Sequence, residues 1–186
     1  MLELLAAAPE GGRIAVLGGD RLSGTRIGKA ICARLALSGR AASRIDADVR
    51  HPDHGGAGAI TLEYHAPALT RHGPAMVHPV RTGSGEGFGL RILGGIACLL
   101  RAARSDMCII TIPAGPWEGS RDFLLSVLEV IDPAFIVCDD PMDAMRLDGD
   151  PVPAKPLSRD IRDGVAELAR AYDAAAVPGM PAWNRL

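Results

Sequence analysis

The sequence predicts an α/β fold with a mainly parallel sheet. Short apolar runs rich in β-branched residues alternate with segments of helical periodicity, and several of these runs end beside glycine or acidic residues. A chain of 186 residues is long enough for one domain with a substantial core and too short for two of ordinary size. We therefore predict a single domain over 1–186, with its functional site at the carboxyl ends of the strands.

The predicted elements alternate along the chain as such a fold requires. We predict strands over 13–18, 42–48, 59–64, 76–80, 107–112 and 134–140. Helices are predicted over 25–38, which Gly39 closes, over 87–104, and from residue 120 onwards. After a proline-rich segment, Ser158 caps a last predicted helix through about Tyr172, and an extended tail follows.

Composition excludes several functional classes. Hydrophobic residues make up 48% and charged residues 23%, which is typical of a globular protein, and the net charge of −2 gives no overall attraction to nucleic acid. No segment approaches the roughly 18 apolar residues of a membrane helix, and the N-terminus lacks the basic region of a signal peptide. We expect a cytoplasmic protein with no membrane partner. The four single cysteines, without a C-x-x-C pair, are expected to be buried thiols.

Residues 16–31, VLGGDRLSGTRIGKAI, have the pattern of a strand, a phosphate-binding loop and a helix. Such a loop presents backbone N–H groups and a helix N-terminus to the phosphates, while a lysine and a Ser/Thr hydroxyl serve the outer phosphates and magnesium. In a first register, Gly19 to Gly24 form G-x-x-x-x-G, but Thr25 and Arg26 replace the lysine and the hydroxyl residue of this Walker A motif. The first register therefore lacks the lysine and the magnesium-binding hydroxyl residue of the motif.

A second register uses Gly28 and Lys29 as the Gly-Lys pair. Ser23 then replaces the first glycine, and Ala30 replaces the hydroxyl residue. This register shortens the following helix, so helix length favours the first. A tight glycine turn that binds no nucleotide is the remaining interpretation.

Residues 44–62, RIDADVRHPDHGGAGAITL, carry the clearest family signal. They resemble the P-loop domain of the polynucleotide 5′-hydroxyl kinases, which include the kinase subunit of mRNA 3′-end cleavage factor and the rRNA-processing kinases. The matching residues are Asp46, Asp48, Val49 and Gly55, and farther on Trp117 and Gly119. Arg50 and His51 replace the family's Gly-Gln pair. The resemblance covers about 13–140 and implies a P-loop NTPase-like three-layer sandwich.

The resemblance also implies a set of site residues. ATP or GTP with Mg²⁺ would be bound by the first-register loop, through Gly19, Asp20, Ser23, Gly24, Thr25 and Arg26. Asp46 and Asp48 would lie near magnesium and the hydroxyl acceptor, with Asp48 as base or magnesium contact. Lys29 or Arg26 would neutralise phosphate charge in place of the missing lysine.

Three functions remain open. The leading one is a nucleotide-binding, kinase-like phosphotransferase that passes the γ-phosphate of ATP to a hydroxyl acceptor such as a nucleic-acid 5′ end. The alternative is a catalytically degenerate pseudoenzyme, a binding or assembly subunit that works with a protein partner or as a homodimer. The third is a member of the deviant P-loop class, in which the second register would serve a small acid or a metallocofactor.

Three further features have competing interpretations. For His51 and His54 a solvated loop is favoured over a transition-metal site, because H-x-x-H in a loop gives loose ligand geometry. Residues 81–89, RTGSGEGFG, are favoured as a flexible connection over a second anion-binding loop or a mobile substrate lid. Trp117 stacks on a base or packs in the fold, with neither preferred.

Overall fold

One sheet with helices on both faces organises the described chain. The computed structural model describes residues 11–18, 23–66, 74–80, 89–113, 121–138 and 154–156. The strands are β1 Gly12–Gly18, β2 Ala42–Asp46, β3 Ala59–His65, β4 Pro74–Pro79, β5 Met107–Pro113, β6 Phe135–Cys138 and β7 Ala154–Pro156. The helices are α1 Ser23–Leu37, α2 Gly89–Ala102 and α3 Arg121–Ile131.

The sheet has the order β4-β3-β2-β5-β1-β6-β7. Strands β2, β5, β1, β6 and β7 run parallel, whereas β3 and β4 join one edge in antiparallel pairs. The predicted mainly parallel α/β sheet is therefore confirmed. The antiparallel edge follows from the connection over 47–58, which contains no helix and so cannot make the crossover that a parallel neighbour needs.

The two faces of the sheet differ in character. Helices α2 and α3 cover an apolar core that includes Ile45, Ile60 and Ile110. Helix α1 covers the other face, where its apolar side packs on Ile14 and Ile109. Because side chains alternate along a strand, the residues on either side of Ile45 point to the α1 face, and these are charged. Polar residues thus concentrate beneath α1 on the β2–β3 side of the sheet.

Several predicted boundaries shift. Helix α1 begins at Ser23, two residues before the predicted start, and β2 ends at Asp46, two residues before the predicted end. Because α1 begins at Ser23, the residues Gly24, Thr25 and Arg26 are all helical. Strand β2 ends at Asp46 because the backbone leaves the sheet there, and the Asp46 side chain accepts N–H groups of the loop that follows. Several predicted features lie outside the described residues: the helix from Ser158, the extended tail, residues 81–88, and residues 139–153 between β6 and β7.

Two of the cysteines behave as predicted. Cys32 and Cys108 are buried, and burial raises the pKa of both thiols, that of Cys108 to about 12. Cys98 is partly exposed. Within the described ranges, no helix has both the length and the apolar character needed to span a membrane.

Candidate functional site

The end of β1 and the start of α1 lie close together at the carboxyl edge of the sheet. Strand β1 ends at Gly18 and α1 begins at Ser23. A Cβ atom on Gly24 would lie 3.1 Å from the Gly18 Cα atom and 3.3 Å from Thr111 Cγ2. Such separations are tighter than ordinary Cβ contacts, so glycine lets helix and strand approach here. The end of β1 and the first turn of α1 are therefore in direct contact.

The predicted nucleotide-binding residues fall in two groups. Gly19 and Asp20 lie outside the described residues. The other four, Ser23, Gly24, Thr25 and Arg26, form the first turn of α1. Thr25 is half-buried and Arg26 is exposed. The first turn of a helix carries N–H groups without partners inside the helix, and these groups favour anions.

Lys29 lies in the second turn of α1 and points to the loop after β2. Its Nζ atom is 3.0 Å from Asp53 Oδ1, and the two side chains are 27% and 16% exposed. Gly28 and Lys29 are helical residues, whereas the second register would need a loop up to Gly28. The geometry therefore favours the first register, and it gives the Lys29 ammonium a carboxylate partner inside this chain.

A fully buried guanidinium, that of Arg44 on β2, connects the charged groups beneath α1. Its Nε and Nη2 atoms donate to the two carboxylate oxygens of Glu63 on β3, at 3.3 and 3.0 Å. Nη2 also donates to Asp53 and lies 3.7 Å from Asp46 Oδ2. Burial lowers the pKa of Arg44, but the three carboxylates more than offset it and hold the pKa well above its usual value. Arg44 therefore stays charged.

Asp46 organises the loop that follows β2. Its Oδ1 atom accepts the N–H of Asp48 at 3.1 Å, and Oδ2 accepts the N–H of Asp53 at 3.0 Å. The side chain is fully buried. Burial raises its pKa to about 6, although Arg44 and the two N–H donors act in the opposite direction. Both carboxylate oxygens of Asp46 therefore already accept hydrogen bonds from this chain.

Asp48 lies just beyond β2, two residues after Asp46, whereas the sequence predicts it at the end of the strand. Its Oδ1 atom accepts the N–H groups of Arg50 and His51, at 2.9 and 3.0 Å. Its Oδ2 atom is 3.9 Å from His51 Nδ1. Among the described residues no group of three or more His, Cys, Asp or Glu is arranged to hold a metal ion. The roles of Asp46 and Asp48 with magnesium remain predictions.

Two histidines complete the cluster around Glu63. His54 Nε2 is 3.2 Å from Oε1, and His65 Nε2 is 3.3 Å from Oε2. Burial raises the pKa of Glu63, but Arg44 and the hydrogen bonds from His65 and Arg44 outweigh it and hold the pKa well below the usual range. His54 is therefore a mostly buried partner of a carboxylate, unlike the solvated residue that the sequence favours. His51 remains exposed.

Two members of this cluster, Arg44 and Glu63, are not among the candidate residues that the sequence predicts, whereas Asp53 belongs to its cluster of possible ligands. A signal was present, because Arg44 and Glu63 occupy strand positions next to the apolar residues Ile45 and Leu62. Charged residues in such positions are rarely buried without a partner. Their register as a cross-strand pair depends on the antiparallel pairing of β2 and β3, which the pattern of either strand alone does not specify.

Comparison with known proteins adds the following. No family model and no curated protein matches the sequence. Among solved structures, one that describes the extended interface between Pcf11p and Clp1p and the basis of ATP loss in a point mutant matches at a TM-score of 0.62 and 16% identity, covering 91% of this chain and 50% of the other. A structure of the wild-type Clp1p–Pcf11p complex matches at a TM-score of 0.63 and 15% identity, with the same coverage.

A likeness at this identity shows the fold. The architecture seen here, a mainly parallel sheet between helices, is thus shared with these structures. The chain spans about half the length of the chains it matches. This chain therefore has the predicted P-loop NTPase-like α/β fold, and the likeness is one of architecture.

Proposed function

We propose that this chain binds a nucleoside triphosphate, ATP or GTP with Mg²⁺, at the turn between β1 and α1 in the first register. The observation that carries the proposal is the approach of Gly24 to Gly18, 3.1 Å from a Cβ position to the Gly18 Cα atom. It places the N-terminus of α1 directly beyond the end of β1. Backbone N–H groups there favour phosphate oxygens without any help from a lysine.

Arg26 is the cation best placed to assist. It is exposed in the first turn of α1, and a guanidinium binds phosphate oxygens in pairs. Lys29 lies a turn farther along and its ammonium is bonded to Asp53. Moving Lys29 to a phosphate would break that ion pair. Arg26 is therefore the proposed substitute for the missing lysine, and Lys29 has a structural partner instead.

Phosphoryl transfer to a hydroxyl acceptor, such as a nucleic-acid 5′ end, is the activity that the family resemblance implies. In such a step the acceptor oxygen attacks the γ-phosphorus, its proton passes to Asp48 Oδ2, and the bond from the γ-phosphorus to the leaving nucleoside diphosphate breaks. Thr25 supplies no charge, and Arg26 has no lone pair for magnesium. Because charge stabilisation dominates this chemistry, we expect turnover far below that of an intact loop.

An assembly role is the second candidate. It is favoured by the replaced loop residues and by the matched structures, which are complexes of Clp1p with the protein Pcf11p. In this proposal the chain works with a protein partner and nucleotide binding supports the fold rather than a reaction. The two candidates share the nucleotide site and differ in whether phosphate is released.

Isothermal titration of the purified chain with ATP and with GTP, each with Mg²⁺, tests the binding site. We expect Arg26→Ala to weaken binding by about 10- to 100-fold, since a charge-assisted hydrogen bond contributes roughly 1.5–3 kcal/mol. Arg34→Ala is the matched control, because it removes the same side chain from the last turn of the same helix. Lys29→Ala is expected to leave the affinity within about twofold.

The outcomes separate the proposals. No binding at millimolar nucleotide would refute the site in either register. Weakening by Lys29→Ala with no effect of Arg26→Ala would overturn the first register. Release of γ-phosphate that rises when 5′-hydroxyl oligonucleotides are added supports transfer, whereas binding without release supports the assembly role.

A further inference from the structure

Three buried polar atoms beneath α1 have no hydrogen-bond partner in the described part of the chain. They are Arg44 Nη1 on β2, Thr61 Oγ1 on β3 and Thr111 Oγ1 on β5. The three residues are 0%, 0% and 1% exposed. Native proteins leave few buried polar atoms unsatisfied, because desolvation without a compensating hydrogen bond is costly. Three such atoms beneath one helix indicate bound polar molecules.

The strand register places these atoms around one carboxylate. Asp46 pairs with Thr61 on β3 and with Thr111 on β5. The neighbours of both threonines along their strands lie in the core under α2 and α3, so the threonine side chains share the α1 face with Asp46. Arg44 lies two residues before Asp46 on the same face. We call the region bounded by Arg44, Asp46, Thr61 and Thr111 the hydration site.

Helix α1 packs against this region at Gly28. A Cβ atom on Gly28 would lie 2.6 Å from Thr111 Oγ1 and 3.6 Å from Arg44 Cδ. Both side chains therefore lie next to the position that a Gly28 side chain would occupy. Thr111 also reaches the phosphate turn, because its Cγ2 atom is 3.3 Å from the Cβ position of Gly24. The hydration site thus extends from the charged cluster to the underside of the proposed nucleotide site.

The charges around the hydration site select its occupant. An anion would meet the carboxylates of Asp46, Asp53 and Glu63, which already face Arg44. A cation would meet the Arg44 guanidinium, which is fully buried and charged. A neutral molecule that both accepts and donates hydrogen bonds fits all the groups: it accepts from Nη1, donates to a carboxylate, and does either with a threonine hydroxyl.

We propose that the hydration site holds ordered water, at least one molecule beside each threonine. Neighbouring strands lie about 4.8 Å apart, so Thr61 and Thr111, on either side of β2, are too far apart for one water to serve both. Buried waters of this kind bind otherwise unsatisfied polar groups and form part of the structure. The proposal concerns the interior of the fold and does not depend on nucleotide binding.

The experiment counts internal water. Oxygen-17 relaxation dispersion detects water molecules held long in a protein, and we compare the full chain with Thr61→Val and Thr111→Val, which keep the side-chain shape and remove the hydroxyl. Each variant is expected to lose about one long-lived water and to have a lower melting temperature. Ser43→Ala is the control, because the Ser43 hydroxyl bonds to the Ser105 hydroxyl at 2.7 Å, so the melting temperature falls and the water count stays the same.

A dry hydration site gives the opposite change in melting temperature. If the threonine hydroxyls are dry and unsatisfied, valine removes an unpaired polar group and the melting temperature rises. A rise in both variants, or an unchanged water count in both, overturns the proposal. A crystal structure in which protein atoms rather than water contact Thr61 Oγ1, Thr111 Oγ1 and Arg44 Nη1 overturns it as well.

Discussion

Replacing Gly28 with alanine tests how closely α1 packs on the sheet. The new Cβ atom would lie 2.6 Å from Thr111 Oγ1, well inside an ordinary van der Waals contact. Helix propensity alone favours the change by about 1 kcal/mol. Overpacking costs about 1–3 kcal/mol, and the cost is at its upper end here because a β-branched side chain on a strand is stiff. We expect a net loss of about 1–2 kcal/mol in the free energy of unfolding.

Urea unfolding followed by circular dichroism measures this difference. Gly94→Ala is the matched control, since Gly94 also lies within a helix and a Cβ atom there meets nothing within 4 Å. It is expected to raise the free energy of unfolding by about 0.5–1 kcal/mol. Adding Thr111→Ala to Gly28→Ala removes the clashing oxygen and is expected to recover part of the loss. If Gly28→Ala is as stabilising as Gly94→Ala, the close contact between α1 and β5 does not exist.

The other predictions concern the charged cluster. Arg44→Met leaves buried carboxylates without their cation, so we expect a loss of about 3–5 kcal/mol in urea unfolding; a loss below about 1 kcal/mol would contradict the buried network. The pKa of Glu63 lies below its ordinary 4.5, so ionised Glu63 stabilises the fold above that pH and this stability is lost as the pH falls. The stability difference between the native chain and Glu63→Gln is therefore expected to shrink below about pH 4.5; a constant difference would refute the assignment. Lys29→Met is expected to cost about 1 kcal/mol or less, because its pair with Asp53 is partly exposed, and a larger loss would show a tighter coupling.

The sequence predicts the order of elements well, because hydrophobic periodicity alone separates strands from helices here. It does not predict that β3 and β4 run antiparallel, since direction depends on how the chain returns after β2. That return is set by local contacts: Gly58 N–H donates to Val49 O at 2.6 Å, and Val80 N–H donates to Gly58 O at 2.6 Å. Such hydrogen bonds leave no periodic trace in the sequence.

In the candidate site too, the sequence predicts some features and not others. Gly24 and its neighbours can be predicted as a turn at the helix start, because spacing constrains a phosphate loop. The partner of Lys29 cannot be predicted from spacing, since Asp53 lies 24 residues away on an irregular loop. The buried position of Arg44 follows from strand alternation, but its partners follow from sheet register. Local pattern therefore identifies the turn, and tertiary contacts identify what the charged residues do.

The position of α1 depends on contacts that are separate from the replaced loop residues. Gly24 and Gly28 both bring the helix against Thr111, and the Lys29–Asp53 pair ties its second turn to the loop after β2. Neither Thr25 nor Arg26 takes part in these contacts, so a lysine at the first position could be lost without moving the helix. In the proposed nucleotide site, backbone phosphate binding is for this reason separable from side-chain catalysis. We expect the affinity of that site to come mainly from the helix N-terminus.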